Sequence, residues 1–134
     1  RSPNLNLLGK RQTDIYGSTS FEVYLKELQQ EFKQVELSYF QSNSEGALVD
    51  KIQEVGFAID GIIINAAAYS HTSIALADAL ASVPAPAVEV HISNVYKREA
   101  FRHHSHLTSN CDGMITGLGL TGYKLAIQYF LDKR

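Results

Sequence analysis

Two short runs of β-branched, apolar residues dominate the pattern of hydrophobic and polar positions along this chain. The first run, residues 62–64, ends at Asn65, and the second, residues 87–90, ends at His91. Mainly apolar, β-branched runs of this length are typical of strands buried on both faces of a parallel sheet. Ligands bind beyond the carboxyl ends of such strands. We therefore expect one shared polar pocket, lined by the side chains that follow the two runs: Asn65, His71, His91, Ser93 and Asn94.

Helical periodicity alternates with these strands along the rest of the chain. Apolar stripes predict helices over residues 20–33, 45–55 and 121–131, and a further helix that starts at Thr72 or Ser73 and ends before Pro84. Residues 96–104 form a basic segment of helical length, and further strands are predicted over residues 35–41 and 113–118. The expected caps are Thr19 or Ser20 for the first helix, and Ser42 and Asn43 for the second. This alternation indicates an α/β domain with a parallel sheet.

The first twenty residues do not follow either period. We interpret the segment from Asn4 to Lys10 as irregular, with Gly9 as a turn signal. Residues 9–17 are polar, lie between two glycines and contain Arg11 and Tyr16. That composition is typical of a mobile loop, and mobile loops over a rigid scaffold often carry catalytic groups.

Composition and charge narrow the class of protein. The 134 residues, 45% of them hydrophobic and 19% charged, suit a single globular domain over residues 1–134. A net charge of -2 argues against a nucleic-acid binder, and the chain contains no apolar run of the roughly 20 residues that a membrane span needs. Cys111 is the single cysteine, so it has no partner for an internal disulfide. We expect a small, buried thiol and a reducing compartment, the cytoplasm.

Metal and nucleotide sites are the first alternatives for the pocket. His103, His104 and His106 form a cluster, but no cysteine or acidic partner completes a zinc spacing, so we predict no metal site. Residues 117–122 read GLGLTG, which has the letters of a dinucleotide fingerprint. That motif belongs to the first strand-to-helix turn, whereas here it lies at the last one. Close packing of a helix against a strand explains these glycines better.

Acid–base chemistry remains once nucleophilic hydrolysis is set aside, because the chain contains no GxSxG motif. The side chains suited to proton transfer or to charge stabilisation are Arg11, Tyr16, His71, His91 and Arg102, with Asn4, Asn65 and Ser93 as hydrogen-bonding groups. A basic cluster formed by Lys97, Arg98 and Arg102 would attract a small anion. The pattern therefore favours an enzyme for a small, negatively charged substrate.

These residues resemble those of a known family, the type II 3-dehydroquinate dehydratases. The resemblance covers nearly the whole chain and rests on these motifs: PNLNLLG at Pro3, R-x-x-x-x-Y-G at Arg11, FQSNSEG at Phe40, IINAAAYSHTS at Ile63, EVHISN at Glu89, REAFRHHS at Arg98 and GLGLTGYKLAI at Gly117. It implies a flavodoxin-like three-layer sandwich with strand order 2-1-3-4-5. It also implies a homododecamer built as a tetramer of trimers.

The resemblance further implies an activity. Members of the family are hydro-lyases that reversibly remove water from 3-dehydroquinate to give 3-dehydroshikimate through an enolate intermediate, with neither metal nor cofactor. The reaction belongs to the shikimate pathway, which leads to chorismate and the aromatic amino acids. The alternative hypothesis is a non-catalytic flavodoxin-like module that keeps the pocket to bind a small anion.

The resemblance also implies roles for individual residues. By position, Tyr16 is similar to the base that takes the C2 proton, and Arg11 to the cation that lowers the pKa of that base. His91 resembles the acid that protonates the departing C1 hydroxyl, oriented by Glu89, and Asn4 resembles the residue that stabilises the enolate through a water. The positions similar to substrate-binding residues are Asn65, His71, Ile92, Ser93, Arg102 and Asp78, the last contributed by a neighbouring subunit.

Two departures from the family pattern lead to expectations about the backbone. Family members have a central strand before the segment that starts here at Pro3, and only Arg1 and Ser2 precede it. We therefore expect the central strand to be missing. The family's NPGA or NAGA turn reads Asn65-Ala66-Ala67-Ala68, so we expect strain at Ala67 if its φ angle is positive.

Overall fold

A five-stranded, all-parallel sheet forms the middle layer of the computed structural model, which describes residues 3–10 and 20–133. The strands are β1 (Asn4–Lys10), β2 (Glu36–Ser42), β3 (Gly61–Asn65), β4 (Ala87–His91) and β5 (Gly113–Thr116). They lie in the order β2-β1-β3-β4-β5. This arrangement confirms the predicted flavodoxin-like fold and strand order.

Four helices cover the sheet in the described part of the chain: α1 (Phe21–Glu31), α2 (Glu45–Val55), α3 (Ile74–Ala81) and α4 (Thr121–Lys133). Apolar residues of α1 and α4 share one buried cluster with the sheet, and those of α2 and α3 share the other. Ile63 belongs to the first cluster, whereas Ile62 and Ile64 belong to the second, and all three are 0% exposed. Burying each of them stabilises the fold by roughly 1.5–3 kcal/mol, so β3 anchors both layers.

Serine side chains fix the starts of three helices. Ser20 and Ser73 accept hydrogen bonds from Val23 and Leu76 N–H, at positions where the sequence predicted these helices to begin. The cap of α2 is Ser44, which accepts from Ala47 N–H, so the prediction of Ser42 or Asn43 was wrong by one or two positions. Each of these serines satisfies a backbone N–H of the first turn that has no partner within the helix.

The expectation of a missing central strand was wrong for this structure. β1 occupies the centre of the sheet, paired with β2 on one side and with β3 on the other. Leu5 and Leu7 point into the α1/α4 cluster and Leu8 into the α2/α3 cluster, which is the alternation of a strand. Gly9 lies within this strand, where an added Cβ would lie 2.6 Å from the Asn65 carbonyl oxygen. This glycine therefore marks a close backbone approach rather than a turn.

The segment after β4 is not the continuous helix that its length suggested. It contains two short 3₁₀ helices, Val95–Lys97 and Ala100–His103, with extended backbone at Arg98 between them. Tyr96 and Phe101 are 53% and 61% exposed, so the segment has no buried apolar stripe that would stabilise a longer helix. No helix in the described ranges is both long and apolar enough to cross a membrane.

The glycines of the GLGLTG segment have structural reasons. Gly117 and Gly119 have φ angles of 87° and 60°, a region that glycine enters without steric cost. A Cβ on Gly122 would approach Val90 at 3.2 Å and Ile115 at 3.4 Å. The close approach of α4 to the sheet is the packing role that the sequence predicted for these residues.

Candidate active site

The carboxyl ends of β3 and β4 lie side by side, as expected from the two apolar runs. Ile64 of β3 pairs with Glu89 of β4, so the ends of these strands, Asn65 and His91, reach the same edge of the sheet. A 3₁₀ helix, Ala67–His71, follows β3 directly and carries His71 back towards this edge. The strands thus bring together two of the predicted histidines.

A buried carboxylate–imidazole pair is the strongest polar feature of this edge. His91 Nε2 lies 2.5 Å from Glu89 Oε2, and the two residues are 5% and 0% exposed. Both side chains leave β4 on the same side because they are two positions apart. A carboxylate can only accept, so Nε2 carries the hydrogen and donates it. Nδ1 is then the ring nitrogen left for exchange of a proton with a ligand.

Two hydroxyl groups complete the surroundings of Glu89. Ser105 Oγ donates to Oε2 at 2.8 Å, and Thr108 Oγ1 donates to Oε1 at 2.5 Å. Burial alone would raise the pKa of Glu89, but hydrogen bonds from His91, Thr108 and Ser105 outweigh it and lower the pKa. Glu89 is therefore an anion at neutral pH in spite of its complete burial.

His71 faces His91 across the mouth of the site. The ring centroids are 6.0 Å apart and the ring planes differ by 18°. His71 Nδ1 lies 2.7 Å from the His104 carbonyl oxygen, which only accepts, so Nδ1 carries the hydrogen. Nε2 of a neutral His71 is consequently an acceptor, suited to a substrate hydroxyl.

A cleft of about 220 Å³ opens beside the two imidazoles. Its walls are formed by His71, His91, Val95, Tyr96, Arg102, His103, His104, Ser105, Thr108 and Met114. The volume lies below the range of about 300–1,000 Å³ typical of pockets for drug-sized ligands. It suits a small, polar, ring-sized molecule.

Arg102 supplies the positive charge of this cleft. Its Nε donates to Glu99 Oε2 at 2.5 Å, and this hydrogen bond lowers the pKa of Glu99. The terminal guanidinium nitrogens carry further N–H donors beyond the one used by this pair. Arg102 is partly buried against the cleft, where a guanidinium binds hydroxyl or carboxylate oxygens of a ligand.

Asn65 is held by the protein through both ends of its amide. Nδ2 donates to the Tyr123 hydroxyl at 3.0 Å, and Oδ1 accepts from Ala67 N–H at 3.2 Å. Asn65 is 5% exposed and lines a neighbouring recess together with Gly9, Lys10, Tyr39 and Gln41, among other residues. It therefore lies beside the cleft rather than on its wall.

The remaining predicted residues are spread over several parts of the molecule. Ile92 and Ser93 directly follow His91, where the Ile92 carbonyl accepts from Gly119 N–H and the Ser93 carbonyl from Thr116 Oγ1. Asp78 lies on the exposed side of α3. Arg11 and Tyr16 lie outside the described residues.

Asn4 is not brought to this site. It begins β1, at the amino edge of the sheet, where its backbone N–H donates to Asp60 Oδ2 at 2.8 Å. The pocket lies at the opposite, carboxyl edge, because all five strands run in parallel. The physical reason is the one that corrected the fold: residues 4–10 form a strand rather than an irregular segment, and Asn4 lies at its amino end.

Sequence analysis did not single out Ser105, Thr108 or Tyr123 as site residues. Each acts on a predicted residue through one hydroxyl: Ser105 and Thr108 on Glu89, and Tyr123 on Asn65. Ser105 lies in the REAFRHHS motif and Tyr123 in GLGLTGYKLAI, so the motifs contained the signal. Hydroxyl residues are common on surfaces, and only the folded chain shows which carboxylate or amide they meet.

The turn after Asn65 is strained, as the departure from the family pattern suggested. Ala67 has a φ of 51°, in the left-handed region that costs a residue with a Cβ about 1–2 kcal/mol. We expect Ala67→Gly to raise the free energy of unfolding by about 0.5–1 kcal/mol, since glycine removes this strain but adds entropy to the unfolded chain.

Urea denaturation of matched variants checks this expectation. Ala68→Gly is the control, because Ala68 lies in the same 3₁₀ helix and has no positive φ. It should lower the stability by roughly 0.5–1 kcal/mol. Equal effects of the two glycines would contradict the strain at Ala67.

Comparison with known proteins shows which family this chain belongs to. The model of the family described as dehydroquinase class II matches residues 1–131. The chain belongs to this family. The class II dehydroquinases are enzymes, and the motif with Glu89 and His91 lies within the matched residues. The alternative of a non-catalytic binding module is therefore not favoured.

Relatives of the chain share about half of its residues. A protein of Histophilus somni (strain 2336), named 3-dehydroquinate dehydratase, is 54% identical over 129 residues, which are 95% of this chain and 86% of the relative. A protein of the same name from Exiguobacterium sp. is 50% identical over 131 residues, 97% of this chain and 90% of the relative.

Solved structures agree with the fold of a dehydroquinase. The crystal structure of the type II dehydroquinase from Butyrivibrio crossotus has a TM-score of 0.88 and 41% identity, covering 97% of this chain and 98% of that one. A 3-dehydroquinate dehydratase-like protein from Bifidobacterium longum has a TM-score of 0.71 at 27% identity, covering 97% and 98%.

Proposed function

We propose that the cleft beside His91 is where this dehydroquinase removes water from 3-dehydroquinate to give 3-dehydroshikimate. The observation that carries the proposal is the buried Glu89–His91 pair, which leaves one imidazole nitrogen for proton transfer to a ligand. Membership of the family supports the reaction itself, a step of the shikimate pathway. The chemistry we propose uses protein side chains alone, with neither metal nor cofactor.

The proposed reaction begins with proton abstraction. Tyr16, as phenolate, takes the proton from C2 of the substrate, and the electron pair moves towards the C3 ketone to form an enolate. A tyrosine with a pKa near 10 is only about a thousandth ionised at neutral pH. Lowering this pKa by about two units takes roughly 2.7 kcal/mol, and we propose that the guanidinium of Arg11, five positions earlier in the sequence, supplies it.

The second step expels water. The enolate re-forms the ketone, a double bond forms between C1 and C2, and the C1–O bond breaks while His91 gives the hydroxyl its proton. The protein ends with neutral His91 and neutral Tyr16, and the proton balance returns to the start when Tyr16 passes a proton back to His91 through solvent. Glu89 contributes by stabilising the imidazolium before the transfer.

Substrate binding is proposed for the polar groups around the acid. His71 Nε2 and the guanidinium of Arg102 would hold ring hydroxyls, and the backbone of Ile92 and Ser93 would hold the carboxylate. A substrate-binding role for Asn65 is supported by its side-chain amide, which hydrogen bonds hold in place at both ends. Stabilisation of the enolate by Asn4 through a water has only the resemblance behind it, since Asn4 lies at the other edge of the sheet.

We further propose assembly into a dodecamer, a tetramer of trimers, in the cytoplasm. The support within the chain is the outer surface of α3, where Ile74 is 63% exposed and Asp78 lies one turn further on. An apolar side chain exposed to this extent beside a carboxylate suits a contact in which Asp78 enters the site of a neighbouring subunit. A single cysteine suits the reducing cytoplasm.

The absorbance of the product tests the proposed function. Purified protein incubated with 3-dehydroquinate should produce the conjugated enone of 3-dehydroshikimate, seen as a rise in ultraviolet absorbance. The rise should survive treatment with a chelator, because the proposed chemistry needs no metal. A full-length, assembled protein that gives no rise in absorbance would contradict the proposal.

A further inference from the structure

The Glu89 carboxylate presents a physical problem that the His91 contact alone does not solve. Glu89 is 0% exposed, and a carboxylate in such a place favours its neutral form unless several donors replace water. A neutral Glu89 would lose most of its attraction for an imidazolium. The acid that protonates the leaving group would then lose both its charge partner and its fixed orientation.

Two hydroxyls from one short segment supply the missing donors. Ser105 Oγ donates to Oε2 at 2.8 Å, the same oxygen that His91 Nε2 contacts, and Thr108 Oγ1 donates to Oε1 at 2.5 Å. Each carboxylate oxygen therefore has at least one donor. Hydrogen bonds to a charged acceptor are roughly twice as strong as those between neutral groups.

The segment that carries these hydroxyls is itself held in place. Ser105 Oγ accepts from Leu107 N–H at 3.1 Å, and Leu107 is 0% exposed in the cluster under α2 and α3. His106 N–H donates to the Ser70 carbonyl at 2.8 Å, next to His71. A buried leucine and a backbone bond thus fix the hydroxyls relative to both histidines.

We propose that Ser105 and Thr108 are positioning residues for the acid of the reaction. Their hydroxyls keep the Glu89 carboxylate ionised and fix its plane, so that Nε2 of His91 remains bound and Nδ1 faces the cleft. Neither hydroxyl transfers a proton to the substrate in this arrangement. Both act on turnover through Glu89 and His91, and the inference about turnover rests on the proposed function.

Substitution of Thr108 tests this role most cleanly, because Ser105 also supports the backbone of its own turn. Thr108→Val keeps the shape and removes the donor, whereas Thr108→Ser keeps the donor. We expect Thr108→Val to lower kcat by roughly tenfold or more with KM little changed, which corresponds to the loss of one charge-assisted hydrogen bond. Thr108→Ser should restore most of kcat, and Ser109→Ala, which removes an exposed neighbouring hydroxyl, should behave as wild type.

Stability against pH gives a readout that does not need turnover. The pKa of Glu89 is lowered in the folded protein, so its contribution to stability is present above the ordinary carboxyl pKa of 4.5 and is lost as the pH falls through the lowered value. Thr108→Val should therefore have a lower urea midpoint than wild type at pH 7, with a difference that narrows as the pH is lowered below this ordinary value. A loss of packing alone would be independent of pH.

The other titratable groups near Glu89 do not produce the same signal. One of these groups is the thiol of Cys111. Burial, together with the charges of Glu89 and Asp112, raises the pKa of this thiol to about 12. It is neutral throughout this range. His91 Nε2 contacts Glu89 directly, so the comparison of Thr108→Val with Thr108→Ser is the one that isolates the hydroxyl at position 108.

The two readouts separate the possible outcomes. A wild-type protein without dehydratase activity would contradict the proposed function. In that case a urea difference that narrows at low pH would still support the role of the Thr108 hydroxyl in keeping Glu89 ionised. An active wild type with Thr108→Val unchanged in kcat, or with Thr108→Ser impaired as much as Thr108→Val, would overturn the positioning role. A urea difference that stays constant as the pH falls, until acid itself unfolds the two proteins, would overturn it as well.

Discussion

His91→Gln should turn over 3-dehydroquinate roughly 10²- to 10⁴-fold more slowly than wild type, the usual contribution of a general acid. The amide of glutamine is far too weak an acid to protonate the leaving group, so hydroxide would have to leave C1 unassisted. We choose glutamine because its amide N–H can still donate to Glu89, which would otherwise be buried with one partner fewer. The binding of the product should change only a few-fold.

Steady-state kinetics of His91→Gln, compared with a control variant at another histidine, checks this result. His106 is half-buried and does not line the cleft, so His106→Gln should retain nearly normal kcat. Circular dichroism of both variants shows whether the fold persists. A His91→Gln enzyme within a few-fold of wild type would mean that another group protonates the leaving hydroxyl.

Tyr16→Phe should lower kcat by roughly 10²- to 10⁴-fold or more and should still bind the substrate. The ring remains, so contacts with the ligand persist, but no phenolate is left to remove the C2 proton. The proton next to a ketone is only weakly acidic, and water is too weak a base to replace tyrosine. Exchange of the C2 proton with deuterium oxide, followed by NMR, should stop together with turnover.

The control for this variant is a tyrosine remote from the cleft. Tyr129 donates to Asp112 Oδ2 on the surface, so Tyr129→Phe should leave kcat unchanged. Normal proton exchange in Tyr16→Phe would show that a different base acts. Normal exchange with slow loss of water would instead move the role of Tyr16 to the second step.

The parts of the fold that the sequence predicted are those set by long-range hydrophobic burial. Ile62, Ile63 and Ile64 are apolar on both faces of a strand, and only a covered parallel sheet buries them all. The same logic brought Asn65 and His91 to one edge, because the strand ends fix where their side chains emerge. These predictions depended on residue type and not on detailed contacts.

The predictions that were wrong depended on local signals that the tertiary structure overrides. Gly9 suggested a turn, but it lies in β1, where the backbone of Asn65 leaves no room for a Cβ. Residues 96–104 had the length of a helix, yet Tyr96 and Phe101 are exposed and give it nothing to pack against. Cys111 is only half-buried.

The two residues that position the His91–Glu89 pair could not be predicted from their spacing in the sequence. Ser105 and Thr108 lie 16 and 19 positions from Glu89, and nothing in the chain between them has a period that brings a hydroxyl to a carboxylate. The contact depends on the path of a loop that Leu107 anchors in the core. Side chains that act through another residue are visible only once the chain is folded.

We propose that one hydroxy ketone ring binds between His91 and Tyr16, with the Glu89 carboxylate behind the imidazole. A crystal structure of Tyr16→Phe with 3-dehydroquinate bound tests it most directly. We expect His91 Nδ1 within about 3 Å of the C1 hydroxyl oxygen, Nε2 still on Glu89, and the substituted aromatic ring at position 16 over C2 on the opposite side. A substrate bound away from the His71–His91 cleft, or position 16 and His91 in separate cavities, would contradict the account.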